Sequence, residues 1–252
     1  QVRPYVMSRM VNHESEAQPG TGVQNTAADL GGDLKIGLTS NITLDATVNP
    51  DFGQVESDPA QLNLTAFETF FEERRPFFLE GTEIYEFGLS RGSDLLYTRR
   101  IGGSVPIVGA TKLSGRTPGG TAFGFLGAAT GEEFNPERYY GVARLRQQIG
   151  SYSSAGAILT GFDGPTRSGA PKQTLAGGAD WDLRFADNTY GVDGFLSFTD
   201  EQWSAEDRSG ESGWAGSIEA QKRSGSWRYG LGSTVFNPTF DPNDLGRMRR
   251  NN

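Results

Sequence analysis

The sequence predicts an all-β chain, folded as an antiparallel up-and-down transmembrane β-barrel or the N-terminal part of one. Three observations predict it. Apolar and polar residues alternate with a period of two along most of the chain, which gives each strand one apolar face. Most of the alternating runs approach the roughly 9–11 residues with which a tilted strand crosses a bilayer, whereas strands of soluble domains are typically about 5–6 residues long. From residue 139 onward tight and long connections alternate, as in outer-membrane barrels with short turns on one rim and long loops on the other.

Composition agrees with that class. The 252 residues suffice for one large all-β domain. Hydrophobic residues make up 35%, low for a dry core, while 35 glycines and 11% aromatics suit many strands around a wet interior. The net charge of -8 and pI near 4.8, without a basic patch, argue against nucleic acid as partner. Without cysteine there is no disulfide framework and no thiolate chemistry. There is no apolar run long enough for a membrane helix. The chain opens on the strand-like "QVRPYVMSRM", which predicts a mature or trimmed N-terminus.

The strands follow in order. A first is expected near 3–12. Leu34, Ile36 and Leu38 alternate with Asp33, Lys35 and Thr39, and after a tight Ser40-Asn41 turn Ile42, Leu44, Ala46 and Val48 alternate with Thr43, Asp45 and Thr47. This is the clearest hairpin. Further strands are expected near 95–101, 105–114, 120–130, 139–149, 153–162, 175–185, 189–199, 212–223 and 225–236, with another beginning near 244. Leu145, Ile149, Trp181, Leu183, Phe185, Val192, Leu196, Trp227, Tyr229 and Leu231 are expected to face lipid. Arg144, Arg146, Asp180, Asp182 and Arg184 are expected to face the lumen, because a one-residue slip would invert every face. Tyr139, Tyr140, Tyr190, Trp214 and Trp227 near strand ends fit interfacial girdles. "FDGPTRSGAPKQT" and "TDEQWSAEDRSGES" read as long polar loops.

Residues 50–94 break the pattern. The stretch "NPDFGQVESDPAQLNLTAFETFFEERRPFFLEG" crowds acids, two arginines and phenylalanines together without a simple period. Leu64, Phe67, Phe70 and Phe71 fall on one helical face, with Glu68, Glu72, Glu73, Arg74 and Arg75 opposite, so a short helix ending at Pro76 is expected. "RPFFLEG" then reads as extended. The strand order requires the chain to cross between rims here, either as one more strand or as an internal plug.

At these residues the chain resembles a known family. "NPDFGQVESDPAQLNLTAFETFFEERRPFFLEGTEIYEFG", followed by "LLYTRRIGG", is similar to the signature of a bacterial outer-membrane barrel domain of unknown function. That domain usually follows an N-terminal carbohydrate-binding family 9-like domain. "GATKLSGRT" and "FDPNDLGRMRRNN" resemble later blocks. The resemblance implies the bacterial outer membrane as location and one barrel domain over 1–252, incomplete at its C-terminus, but it implies no reaction. Its partners would be outer-membrane lipid, a glycan or small solute, and a further chain or segment closing the sheet.

The candidate chemistry is sparse. Asp51, Glu56 and Asp58 could offer oxygen ligands to calcium, but the spacing is not that of a calcium loop, and solvated rim carboxylates are the simpler reading. Together with them, Glu68, Glu72, Glu73, Arg74, Arg75, Arg99 and Arg100 could form a charged cluster in a plug or lumen, or the glutamates and arginines could line a solvated helix face. The single His13 has no partner histidine, and no phosphate-loop spacing occurs, so no cofactor and no metal are expected. Paired carboxylates leave glycoside cleavage open without singling out a pair. The function expected is passage or handling of a solute or glycan at the cell envelope. A secreted all-β module that binds or cleaves carbohydrate is the alternative.

Overall fold

The computed structural model describes residues 1–14, 22–50, 69–89, 93–103, 105–132, 135–165, 169–203 and 210–248. Eleven strands form one antiparallel sheet: β1 (Val2–Glu14), β2 (Gly22–Thr39), β3 (Ile42–Val48), β4 (Ile107–Arg116), β5 (Thr121–Glu132), β6 (Asn135–Ile149), β7 (Ser153–Pro165), β8 (Pro171–Phe185), β9 (Tyr190–Trp203), β10 (Glu211–Lys222) and β11 (Tyr229–Phe236). Spatial order equals sequence order throughout, an up-and-down meander. The sheet is not closed: among the described residues β1 pairs with β2 alone and β11 with β10 alone.

The alternation sorts the two faces as expected. On one face, called open here, lie Leu145, Leu159, Leu175, Phe185, Tyr190, Leu196, Phe198, Trp214 and Leu231, all well exposed. The register puts Trp181 opposite Gly194 and Leu183 opposite Val192 on this same face. The other, covered face carries Arg144 opposite Ile158, Arg146 and Asp180 on either side of Gly156, Asp182 opposite Ser154 and Arg184 opposite Gly191. Tyr140 is a correction: it lies on the covered face, packed against Phe162 at 5.3 Å, because it follows Tyr139 by one residue. Trp227 precedes β11 rather than lying in it.

Along β8 every open-face side chain from Leu175 through Gly177, Ala179, Trp181 and Leu183 to Phe185 is apolar or glycine. At about 3.3 Å per residue, this run extends about 33 Å along the strand. In β4 to β11 the charged open-face side chains among the described residues sit at strand ends: Asp163 beside Tyr139 and Gln173, Asp200 beside Leu175, and Lys222 beside Tyr190 and Tyr229.

Several expectations need correcting. Among their described residues the long polar loops are mostly strand: β7 runs to Pro165, β8 starts at Pro171, β9 runs to Trp203 and β10 starts at Glu211. Main-chain hydrogen bonds extend each hairpin past its apolar run, since the ladder does not depend on side-chain polarity. There is no strand over 95–101; Thr98–Arg100 is a short 3-10 turn. Nor does one begin near 244, where the chain makes a single bridge between Asp94 and Arg247. Without a strand at 95–101 the need to cross between rims vanishes. β3 pairs directly with β4, Val48 opposite Gly109, so residues 49–106 leave and rejoin the sheet at one edge.

The helix expected over 64–75 is also misplaced. Residues 63–68 lie outside the described residues, and 69–75 are irregular. The helical turn instead begins at Pro76: α1 is Pro76–Leu79, and α2 (Thr82–Tyr85) follows Gly81, whose φ is 72°. Proline at the first helical position loses no hydrogen bond, since that N–H has no intrahelical acceptor, so Pro76 starts a helix rather than stopping one.

Candidate functional site

Two segments lie on the covered face, residues 69–89 and 93–103 from the β3–β4 excursion and residues 237–248 after β11. The first is held by an ion pair. Arg75 donates to the Glu73 carboxylate through Nε at 2.8 Å and Nη2 at 2.7 Å, and to the carbonyls of Ile101 at 2.6 Å and Thr98 at 2.7 Å. Glu73 also accepts from the Thr98 hydroxyl at 2.6 Å and the Arg75 N–H at 2.9 Å. Burial alone would raise the Glu73 carboxyl, but the Arg75 guanidinium and the Thr98 hydroxyl outweigh it and hold it below its ordinary value. The guanidinium lies 4.2 Å from the Phe78 ring centroid, adding a cation–π contact. Two irregular stretches are thereby tied together without regular secondary structure.

Apolar contacts seat this cover on the sheet. Phe78, Tyr85, Phe87, Leu95 and Ile101 are buried with covered-face Leu126, Val142, Ile158, Ala176 and Phe195. Burying these five is worth on the order of 10 kcal/mol before the cost of ordering the segment. Two glycines make the seat. A Cβ on Gly124 would lie 2.6 Å from the Tyr85 ring, and one on Gly178 would lie 2.7 Å from the Phe87 ring. Lys112, its side chain 1% exposed, reaches up from β4 and donates to the carbonyls of Phe77 and Glu80, both at 2.6 Å.

The second segment completes the cover. Phe240 is fully buried and packs on Phe236 at 6.0 Å. Asp244 accepts from Lys172 at 2.6 Å and from the Thr174 hydroxyl at 2.6 Å, while Lys172 also pairs with Glu201 at 3.1 Å. The two segments meet where Tyr97 N–H donates to Leu245 O at 2.7 Å and Arg100 to Gly246 O at 3.2 Å.

Toward the short-turn edge the covered face carries a row of ion pairs across β6 to β10. Arg144, 1% exposed, makes a bidentate pair with Asp180 at 2.6 and 2.8 Å. Arg184 pairs with Asp182 at 2.6 Å, with Asp193 3.8 Å away, and Asp193 accepts from Gln221 at 2.9 Å. Arg146 donates to Ser154 at 2.9 Å. Acids and cations alternating across neighbouring strands make a polar wall of balanced charge. Among the described residues no group of acids or histidines is arranged to hold a metal ion.

Of the residues singled out in the sequence, Asp51, Glu56, Asp58 and Glu68 lie outside the described residues. Glu73 and Arg75 come together, with Arg99 donating to the Glu72 carbonyl at 3.1 Å and Arg100 stacking 5.9 Å from Tyr97. Arg74 N–H donates to Glu73 at 3.0 Å. These groups bind the cover to itself. The residues joining cover to sheet, Lys112, Lys172 and Asp244, were not singled out. Lysines at alternating inward positions of β4 and β8 were the available signal.

A family model described as "Domain of unknown function (DUF5916)" matches residues 1–109 and 103–252. No curated protein and no solved structure matches the chain. The matched residues take in the whole chain, and it belongs to that family.

Proposed function

We propose that this member of the family forms the spanning sheet of an outer-membrane β-barrel at the bacterial cell envelope, and that the cover lies in its lumen and narrows the path of a solute. The observation that carries the reading is the run from Leu175 to Phe185, an unbroken apolar face with charge among the described residues only at strand ends, back to back with a charged face; at the roughly 40° tilt of a barrel strand it would stand about 25 Å tall, the height of a bilayer's apolar band. A solvated sheet has no reason to expose so many leucines while burying Arg144 and Lys112. The secreted carbohydrate module would instead line a groove with tryptophan and tyrosine. Here Trp181 and Trp214 share the face of Leu196 and Leu159, and Tyr139, Phe185 and Tyr190 stand near strand ends.

The test uses the full-length protein. Detergent-dependent extraction from the envelope, heat-modified gel mobility and conductance in planar bilayers are expected. Deleting residues 60–80 should raise the conductance. Release without detergent would refute the membrane reading, and unchanged conductance in a heat-modifiable deletion variant would refute the narrowing.

A further inference from the structure

The open face carries a groove on the side of the sheet away from the cover. Its inner part, about 850 Å³, lies mid-strand over Ala143, Ala157 and Ala179, walled by Leu145, Leu159 and Leu196. Its outer part, about 490 Å³, lies toward the long-loop rim over Gly141 and Gly161, walled by Tyr139 and Leu175. The two parts meet along β6, where Gly141 and Ala143 are successive residues on this face.

The chain's own packing does not require the outer hollow. Gly127, Gly141 and Gly161 stand side by side on β5, β6 and β7. None has a positive φ. A Cβ on Gly141 would meet nothing within 4 Å, and on Gly127 and Gly161 it would meet one atom each, at 3.8 and 4.0 Å, which is ordinary contact. Glycine weakens a strand interior, and where no turn or internal contact calls for it the bare backbone suits a close approach from outside.

The two parts accept different chemistry. The open-face side chains of the inner part are alanine, leucine, phenylalanine and Trp214, so a polar group seated there would give up water without replacement. The outer part offers the Asp163 and Asp200 carboxylates with the Gln173 and Gln202 amides. Asp200 accepts from the Ser212 hydroxyl at 2.6 Å and the Gln202 amide at 3.4 Å. Among the described residues no lysine or arginine pairs with Asp163 or Asp200. Two carboxylates without a cation, at the edge of an apolar band, attract positive charge. The occupant that fits both parts has a hydrocarbon chain with a cationic hydrogen-bond donor at one end, and an ammonium is such a donor. A second copy of the chain fails on charge. Two-fold pairing through this face would set Asp163 and Asp200 against their own counterparts at the same depth.

We propose that this groove binds one membrane lipid with an ammonium-bearing head group, its acyl chain along Ala143, Ala157 and Ala179 and its head beside Asp163 and Asp200. The proposal rests on the membrane reading above for the sheet's orientation and goes beyond it by assigning a bound lipid. The test is native mass spectrometry of the full-length protein released from detergent micelles. The probes are dioleoyl phosphatidylethanolamine and dioleoyl phosphatidylglycerol at matched concentrations, which share chains and phosphate and differ in the ammonium. Retention of the ethanolamine lipid roughly fivefold above the glycerol lipid is expected. Replacing both acids, Asp163→Asn with Asp200→Asn, should bring the two lipids close to equal retention. Gly141→Leu should lose both lipids in a variant that keeps heat-modified mobility. Equal retention by the native sequence, selectivity unchanged without the two acids, or full retention in Gly141→Leu would overturn the proposal. A lipid-free dimer that Gly141→Leu disperses would overturn it in favour of a second copy. Failure of selective retention in a protein that still needs detergent refutes the groove alone. Selective retention by a protein released from the envelope without detergent refutes the membrane reading alone.

Discussion

Replacing Leu196 by arginine separates a lipid-facing sheet from a solvated one. Leu196 is 60% exposed and pairs with Ala179, near the middle of the run from Leu175 to Phe185. On a solvated surface such a change stays within about ±0.5 kcal/mol. At the midplane of a bilayer an arginine on the lipid face costs about 2–4 kcal/mol, a shift of roughly 30- to 900-fold in the unfolding equilibrium. Depth gives the control. Tyr190 pairs with Phe185 at the end of the band, so Tyr190→Arg should cost at most about 1 kcal/mol. Leu183, opposite Val192, lies two residues from that end and should fall between. Urea unfolding of the full-length protein in lipid vesicles, followed by tryptophan fluorescence, measures all three. A flat profile, or a cost below about 0.5 kcal/mol at Leu196, would refute the lipid-facing assignment.

The remaining predictions concern the cover. Arg75→Met strands the buried Glu73 carboxylate and should cost about 3–5 kcal/mol locally, read as faster amide exchange over Phe77–Tyr85 with β6–β9 unchanged. Glu73 has a folded pKa below its ordinary 4.5, so its stabilisation is complete above that pH and is lost as pH falls through the folded value. Exchange over 71–79 should therefore accelerate on acidification below pH 4.5, and Glu73→Gln should flatten that dependence. Gly178→Leu fills the seat of Phe87 and should cost about 1–3 kcal/mol. Amides near Phe87 should lose protection, and protection retained there would contradict the seat.

The sheet was legible because lateral order and face both follow from local alternation: Leu145 and Arg144 declare their faces within two residues. Strand ends were less legible, because apolar runs stop before main-chain pairing does, as at Pro171–Gln173. The cover was misread for a physical reason. In "LLYTRRI" Leu95, Tyr97 and Ile101 alternate as a strand would, yet they are buried by two irregular segments, and Arg100 turns to the Gly246 carbonyl. Lys112 and Lys172 have partners in segments distant in sequence, so no local spacing announces them. Gly124 and Gly178 carried a usable signal, since a glycine at an inward strand position often marks a close approach.

The meander also sets a timetable for assembly. Every strand pairs with its sequence neighbour, so the sheet can zip up by successive hairpins with short loop closures as the chain emerges. The cover cannot keep that pace. Its lock joins Arg100 to Gly246, 146 positions apart, and Lys172 to Asp244, so the first cover segment must wait until the eight strands after β3 have been synthesised. Until then Phe78, Tyr85 and Phe87 have only a partial wall to rest on. A chaperone that shields aromatic side chains would act on this interval, and a truncation after β9 would prolong it indefinitely.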